Sequence, residues 1–202
     1  MFHVFLRWGT YAIMKVYAAE PIRSMKMKLM PIAILDLASL LTLKDLQDIA
    51  RKNGVTNLIE NLHLTMATYE LPDTKIERYL QEVKGKLSDM EQFTVNYSEI
   101  VYMRDWKTVN CNPVKDASLM QAYRRIASVM PEYLHDYYRT EEAFLPHTTM
   151  IGRTEHDITT AVERMCDGFA PFSAKAVRLD FSVEVSEKEY DIIHSIDLKE
   201  AI

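Results

Sequence analysis

Two short stretches hold the residue types that acid–base chemistry needs at neutral pH: Leu62-His63-Leu64-Thr65-Met66 and Pro146-His147-Thr148-Thr149-Met150. In an extended chain successive side chains alternate faces, so His63 and Thr65 share one side while Leu64 and Met66 take the other. The same alternation sets His147 and Thr149 against Thr148 and Met150. Each stretch therefore presents one imidazole and one hydroxyl above a mainly apolar anchor. Two imidazoles suit a phosphodiester displacement, in which a neutral ring takes a proton from the attacking hydroxyl or water and an imidazolium protonates the leaving oxygen. Histidine serves both roles because its unperturbed pKa is about 6.5. Threonine hydroxyls add hydrogen-bond donors for the non-bridging oxygens, where charge must be held in the transition state. The scheme calls for no metal and no cofactor.

The elements that must position these residues are legible from periodicity. Residues 29–37 read as a buried strand with Pro31 near its start. Thr42 and Asp45 suggest a helix cap, and Leu43, Leu46 and Ile49 continue a helix to Lys52 that stops at Asn53-Gly54. After the first histidine stretch, Ile76, Leu80, Val83, Leu87 and Met90 form a helical stripe. Phe93, Val95 and Tyr97 then alternate with polar residues in a strand continued through 100–103, with a partner strand around 108–111. A third helix, about 117–130, ends before Pro131 and bridges two halves. The second half repeats the order: the His147 strand, a cap at Thr154 and Asp157, a helix with Ile158, Val162 and Met165, and a hairpin. In that hairpin Val177, Leu179, Phe181, Val183 and Val185 alternate with polar residues, and Tyr190, Ile192, Ile196 and Leu198 form the returning arm.

This pattern predicts an α+β fold with two lobes related by a pseudo-twofold axis, each β-α-β-β, whose antiparallel sheets meet at a central cleft. Lobe one spans about 29–112, the bridging helix about 113–131 and lobe two about 140–202 of a single domain over 29–202. Residues 1–28 form a separate extension. A hairpin over 2–17 turning at Gly9-Thr10 is one reading of it, an unstructured segment the other.

Composition narrows the function. A net charge of −5 on 202 residues is unsuited to gripping long duplex nucleic acid through many phosphates. A small nucleotide or short oligonucleotide in a cleft is the expected partner, and a monomer the expected state. With 48% hydrophobic residues the chain can build a sizeable core, and no apolar run reaches the length of a membrane span. Cys111 and Cys166 lack metal-ligand spacing, and a reduced, cytoplasmic protein is the simplest reading.

The residues His63-Leu64-Thr65-Met66 and His147-Thr148-Thr149-Met150, each heading the same supersecondary unit 84 residues apart, resemble the two-histidine (2H) phosphoesterase superfamily and most closely its 2′-5′ RNA ligase-like branch. The resemblance covers about residues 29–198. It implies metal-independent cleavage of 2′,3′-cyclic phosphate or 2′-5′ phosphodiester bonds, with His63 and His147 as acid and base and Thr65 and Thr149 as phosphate ligands. It does not say which histidine is the acid. That branch often has an arginine soon after the second motif. Arg153, six residues past His147, fits only if the strand runs on through Gly152.

Tyr69 and Tyr138 are candidates for stacking a base. Two alternatives stay open: hydrolysis of cyclic or 2′-5′ oligonucleotide signals in defence or counter-defence, and a catalytically silent nucleotide-binding module. A buried structural histidine would explain either motif alone. The matched pair favours the catalytic reading, and the other histidines lack a hydroxyl residue two positions on.

Overall fold

The computed structural model describes residues 26–186 and 189–200; the expected hairpin over 2–17 lies outside the described residues. The chain runs β1 (Lys26–Leu35), α1 (Leu37–Lys52), β2 (Leu64–Thr65), β3 (Tyr69–Pro72), α2 (Ile76–Leu87), β4 (Phe93–Met103), β5 (Thr108–Pro113), α3 (Ala117–Ala127), β6 (Thr148–Ile151), α4 (Thr159–Gly168), β7 (Phe172–Ser186) and β8 (Glu189–Asp197). All strands pair antiparallel in one sheet, with the path β2-β1-β7-β4-β5-β6, β3 beside β1 and β8 beside β7. This is the α+β, antiparallel architecture the periodicity predicts, and its two ends are the edge strands that carry the His-x-Thr stretches.

The lobes are assembled differently from the sequence order. The β4–β5 hairpin pairs with β6 and so belongs to the His147 half. The C-terminal half of β7, with β8, pairs with β1 and belongs to the His63 half. Each half thus receives its hairpin from the other half of the chain. The boundaries of about 29–112 and 140–202 do not describe spatial lobes, because β7 alone spans both, pairing with β4 through Phe172–Ala176 and with β8 from Arg178 onward.

Local chemistry accounts for the element ends. Helix α1 starts six residues before the Thr42 cap suggested by sequence, because Asp36 takes the N-cap position. Its carboxylate accepts from the Ser39 amide (3.0 Å) and Ser39 hydroxyl (2.6 Å), and also from the Lys175 amide (2.9 Å) on β7. Thr42 instead bonds back to the Ala38 carbonyl within the helix. Helix α4 begins at Thr159, and it is Asp157, not Thr154, that accepts from the Thr159 amide and hydroxyl. Helix α3 is capped by Asp116 and stops at Ala127, with Met130 in the left-handed region at φ 44° just before Pro131.

Pro31 lies inside β1, where the outer partner changes from β3 to β2. Its carbonyl accepts from Met66 on that side, so its missing N–H falls at the gap and costs no bond to β7. One face of the sheet carries Leu29, Ala33, Leu35, Val95, Leu179, Phe181 and Val183 and packs under the helices as the core. Among the described residues no helix is long and apolar enough to cross a membrane, and both cysteines are free, Cys111 buried and Cys166 exposed.

The two edges are joined by a polar staple. The side-chain amide of Gln47, buried on α1, donates to the Ile59 carbonyl (2.9 Å) and the Met150 carbonyl (2.8 Å). Around it the Ile59 amide donates to Met150 (3.1 Å) and the Gly152 amide to Asn57 (2.9 Å), so the segment leading into β2 runs along β6. Replacing Gln47 by leucine keeps the bulk but removes the donor to the part-buried Ile59 carbonyl and one of the two donors to the buried Met150 carbonyl. A loss of about 1–3 kcal/mol in urea unfolding is expected for Gln47→Leu; a loss below about 0.5 kcal/mol, the usual range of a neutral surface change, would contradict this role.

Candidate active site

The apolar halves of the two stretches set the positions of the polar halves. Leu64, Met66, Thr148 and Met150 are fully buried, while His63, Thr65, His147 and Thr149 are half-buried on the opposite side. Burying Leu64 and Met66 contributes about 1.5–3 kcal/mol each, which sets the register and so the face on which the imidazoles emerge. Thr148 completes its burial through a 2.6 Å hydrogen bond between its hydroxyl and that of Tyr97, whose ring stacks on Phe172 at 5.0 Å. Strands β2 and β6 lie against each other, so the two polar faces meet at one cleft.

Both histidines are held in the same way. Nδ1 of His63 lies 2.7 Å from the Asn61 carbonyl, and Nδ1 of His147 lies 2.8 Å from the Leu145 carbonyl, each two residues back along the chain. A carbonyl only accepts, so Nδ1 carries the proton in both rings and Nε2 is left to exchange one with a substrate. The two rings differ in surroundings. Burial lowers the His63 pKa below 6.5; the Asn61 hydrogen bond opposes this, and the nearby His147 adds to it. His63 is thereby held toward the neutral, proton-accepting form. His147 packs against the indole of Trp106, ring centroids 5.6 Å apart.

Neighbouring strands supply residues that sequence reasoning missed. Trp106 comes from the β4–β5 turn, tied to the loop after β6 by the Thr154 amide donating to Lys107 and by a Lys107–Glu155 ion pair. Its only sequence signal is a tryptophan in a charged turn. Asn110 is the ladder partner of Thr149, and Asn112 follows two residues on along the same face. The Oδ1 atoms of both are buried without a hydrogen-bond partner among the described residues. Buried acceptors of this kind cost free energy until a donor reaches them.

A cavity of about 200 Å³ lies beside His147, lined by Glu99, Met103, Asn112, Pro113, Lys115, Leu145 and Pro146. A larger one, about 350 Å³, is formed by 53–57 and 153–158 and includes neither histidine. Of these two cavities only the smaller touches one of the paired imidazoles, His147, and His63 lines neither. Among the described residues no cluster of three or more His, Cys, Asp or Glu is arranged to hold a metal ion.

Three substrate-binding candidates do not join this group. Tyr69 is fully buried, its hydroxyl donates to the Ile126 carbonyl at 2.6 Å and its ring packs edge-on to Tyr79 at 4.9 Å, so it is a core residue and cannot stack a base. Tyr138 is packed against the core beside Phe144, ring centroids 6.0 Å apart. Strand β6 ends at Ile151, so Arg153 does not continue its alternation; the guanidinium pairs with Glu155 and lines the larger cavity.

An antiparallel sheet whose two edge strands each bring a His-x-Thr pair to one cleft defines a two-histidine phosphoesterase fold. The chain belongs to the 2′-5′ RNA ligase superfamily, whose family model matches residues 44–186. Its structure is similar to that of E. coli LigT complexed with 3′-AMP, at 14% identity over 88% of this chain and 100% of that one, TM-score 0.59. It is also similar to TT0787 of Thermus thermophilus, at 16% identity over 86% and 99%, TM-score 0.63. A third solved structure, described as a phosphoesterase, has 14% identity over 87% and 99%, TM-score 0.60. At these identities the likeness speaks to the fold alone. No curated protein sequence matches the chain.

The asymmetry between the rings gives a direct expectation. Followed by NMR, His63 titrates with a midpoint below 6.5, and His147→Ala raises that midpoint by removing a neighbouring positive charge. A midpoint at or above 6.5, or one that falls in the variant, would contradict the placement of His63 in a buried position beside its partner.

Proposed function

We propose that this protein is a metal-independent phosphodiesterase that cleaves 2′,3′-cyclic phosphate or 2′-5′ phosphodiester bonds of nucleotides or short RNA. The observation that carries the reading is the matched fixing of two imidazoles, each through Nδ1 to the carbonyl two residues earlier, on adjoining edge strands. His63, held toward the neutral form, accepts a proton at Nε2 from water as the water oxygen bonds to phosphorus. The bond from phosphorus to the ribose oxygen breaks as His147 Nε2–H gives its proton to that oxygen. The hydroxyls of Thr65 and Thr149 donate to the non-bridging oxygens, which carry the negative charge through the transition state. One cycle leaves His63 protonated and His147 neutral, and exchange with solvent restores both.

A small nucleotide partner agrees with the modest cavity and with the net charge of −5. Solved structures of the similar LigT fold carry 3′-AMP, ATP and NADP+. The unpartnered Oδ1 atoms of Asn110 and Asn112 match the donors that ribose hydroxyls or base amino groups bring.

The test is turnover, under excess chelator, of a panel of 2′,3′-cyclic nucleotides and 2′-5′ dinucleotides. Wild type is expected to cleave one class, and the product identifies which ribose oxygen leaves. His63→Ala and His147→Ala should each lower kcat by about 10²–10⁴, and Thr65→Val or Thr149→Val by about 10²–10³. Binding without cleavage of any member would make the chain a nucleotide sensor, and activity retained in either histidine variant would sink the mechanism.

A further inference from the structure

The cleft face of the sheet carries a charged group outside the His-x-Thr machinery. The register puts Thr65, Ile32 and Asp180 in one row across β2, β1 and β7, and Ile34 and Arg178 in the next, toward His63. Paired residues in a ladder point to the same side, so Arg178 and Asp180 stand on the face that bears His63 and Thr65. Two strand spacings of about 4.8 Å separate their strand from β2, about 10 Å in all. A long side chain reaching from there covers the distance that one further nucleotide unit spans.

Arg178 is built in from below. Asp180 is 1% exposed. Its Oδ2 accepts from Arg178 Nη2 at 2.9 Å and its Oδ1 from the Ser195 hydroxyl on β8 at 2.7 Å. Arg178 Nε lies 2.8 Å from Oδ1 without the alignment of a hydrogen bond, and it is buried with no other partner. The carboxylate thus orients the guanidinium from its buried side, while the arginine side chain remains 43% exposed. Five N–H donors in a planar fork are more than one carboxylate uses, and the outer edge is free for a bidentate contact. On β8 the ladder partner of Arg178 is Asp197, also exposed, which makes the outer rim less welcoming to an anion than the side toward β1.

We infer that Arg178, oriented by Asp180 and Ser195, binds a second phosphate of the substrate, one nucleotide unit from the phosphate held between the two histidines. The inference rests on the phosphodiesterase reading and makes it more specific. The preferred substrate is an oligonucleotide, or a nucleotide with phosphates at both ends, and not a nucleoside carrying a single cyclic phosphate. A planar fork preorganised by a buried carboxylate is the arrangement that recognises phosphate oxygens in pairs. Arg178 is a specificity residue in this account and takes no part in proton transfer.

The experiment measures binding, so it does not depend on turnover. Calorimetry compares a nucleoside 3′-phosphate with the matching nucleoside 3′,5′-bisphosphate on wild type, Arg178→Lys and the double variant Arg178→Gln with Asp180→Asn. The double variant avoids leaving an unpaired buried carboxylate, and the lysine variant keeps the charge but removes the fork. Wild type is expected to prefer the bisphosphate by about tenfold or more, as one added charge-assisted hydrogen bond supplies. The preference should fall to near one in the double variant and to an intermediate ratio in Arg178→Lys. It should be the same for adenosine and guanosine ligands.

No preference in wild type, or a preference that survives the double variant, overturns the assignment. Tighter binding of guanosine than adenosine ligands that is lost in the double variant does so too, because Arg178 would then be reading a base edge. Turnover of a 2′,3′-cyclic nucleotide is followed on the same wild-type preparation. Its absence would count against the phosphodiesterase reading, while the binding ratio still decides the role of Arg178.

Discussion

The structure depends on bringing two strand edges together that lie at opposite ends of one sheet. An edge strand exposes unpaired N–H and C=O groups, and two edges do not meet unless something satisfies those groups at the junction. Here the side chain of Gln47 does so, with one amide bonded to carbonyls on both sides and the Ile59 and Gly152 amides completing the seam. Because Leu64, Met66 and Met150 are locked in the core on either side of it, the imidazoles have one way to face. Sheet register, helix α1 and the site are therefore a single packing problem, in which the hydrophobic pattern sets the face and one buried amide sets the distance.

Within that frame the two halves match in geometry and differ in electrostatics. Each ring is fixed by a carbonyl two residues back, so backbone alone selects the tautomer and no separate carboxylate is needed to orient either histidine. The difference lies in what surrounds the rings. Burial and the neighbouring ring push His63 toward neutrality, while His147 rests against a half-exposed indole next to a solvent-open cavity. In the mechanism proposed above, these asymmetric surroundings on a symmetric scaffold give one base and one acid from two copies of one residue type.

Much of this was legible in the sequence, for identifiable reasons. The paired His-x-Thr stretches, the helix stripes and the two hairpins follow from local periodicity, and they appear where the alternation of Phe93, Val95 and Tyr97 or of Leu179, Phe181 and Val183 put them. The exchange of hairpins between halves was not legible, because pairing β4–β5 with β6 and β7–β8 with β1 is decided by contacts far apart in sequence. Tyr69 was misread because a tyrosine next to a motif looks like a wet aromatic, whereas its hydroxyl finds the Ile126 carbonyl inside the core. Gln47 carried a readable signal: it sits four residues after Leu43, a polar residue inside an apolar helical stripe. Asp36 outcompeted Thr42 as the cap because it also binds the Lys175 amide on β7, a contact that no local pattern contains.

The central claim is that His63 and His147 act as one unit, each needing the other in the same transition state. The most direct measurement is a double-variant cycle: kcat of wild type, His63→Ala, His147→Ala and the double variant on whichever phosphodiester substrate wild type cleaves, under chelator. Residues that work as a unit are strongly non-additive. The account predicts that the double variant is little slower than either single one. Losses that multiply, so that the double variant falls by the product of the single effects, would show two independent contributions and contradict the paired mechanism.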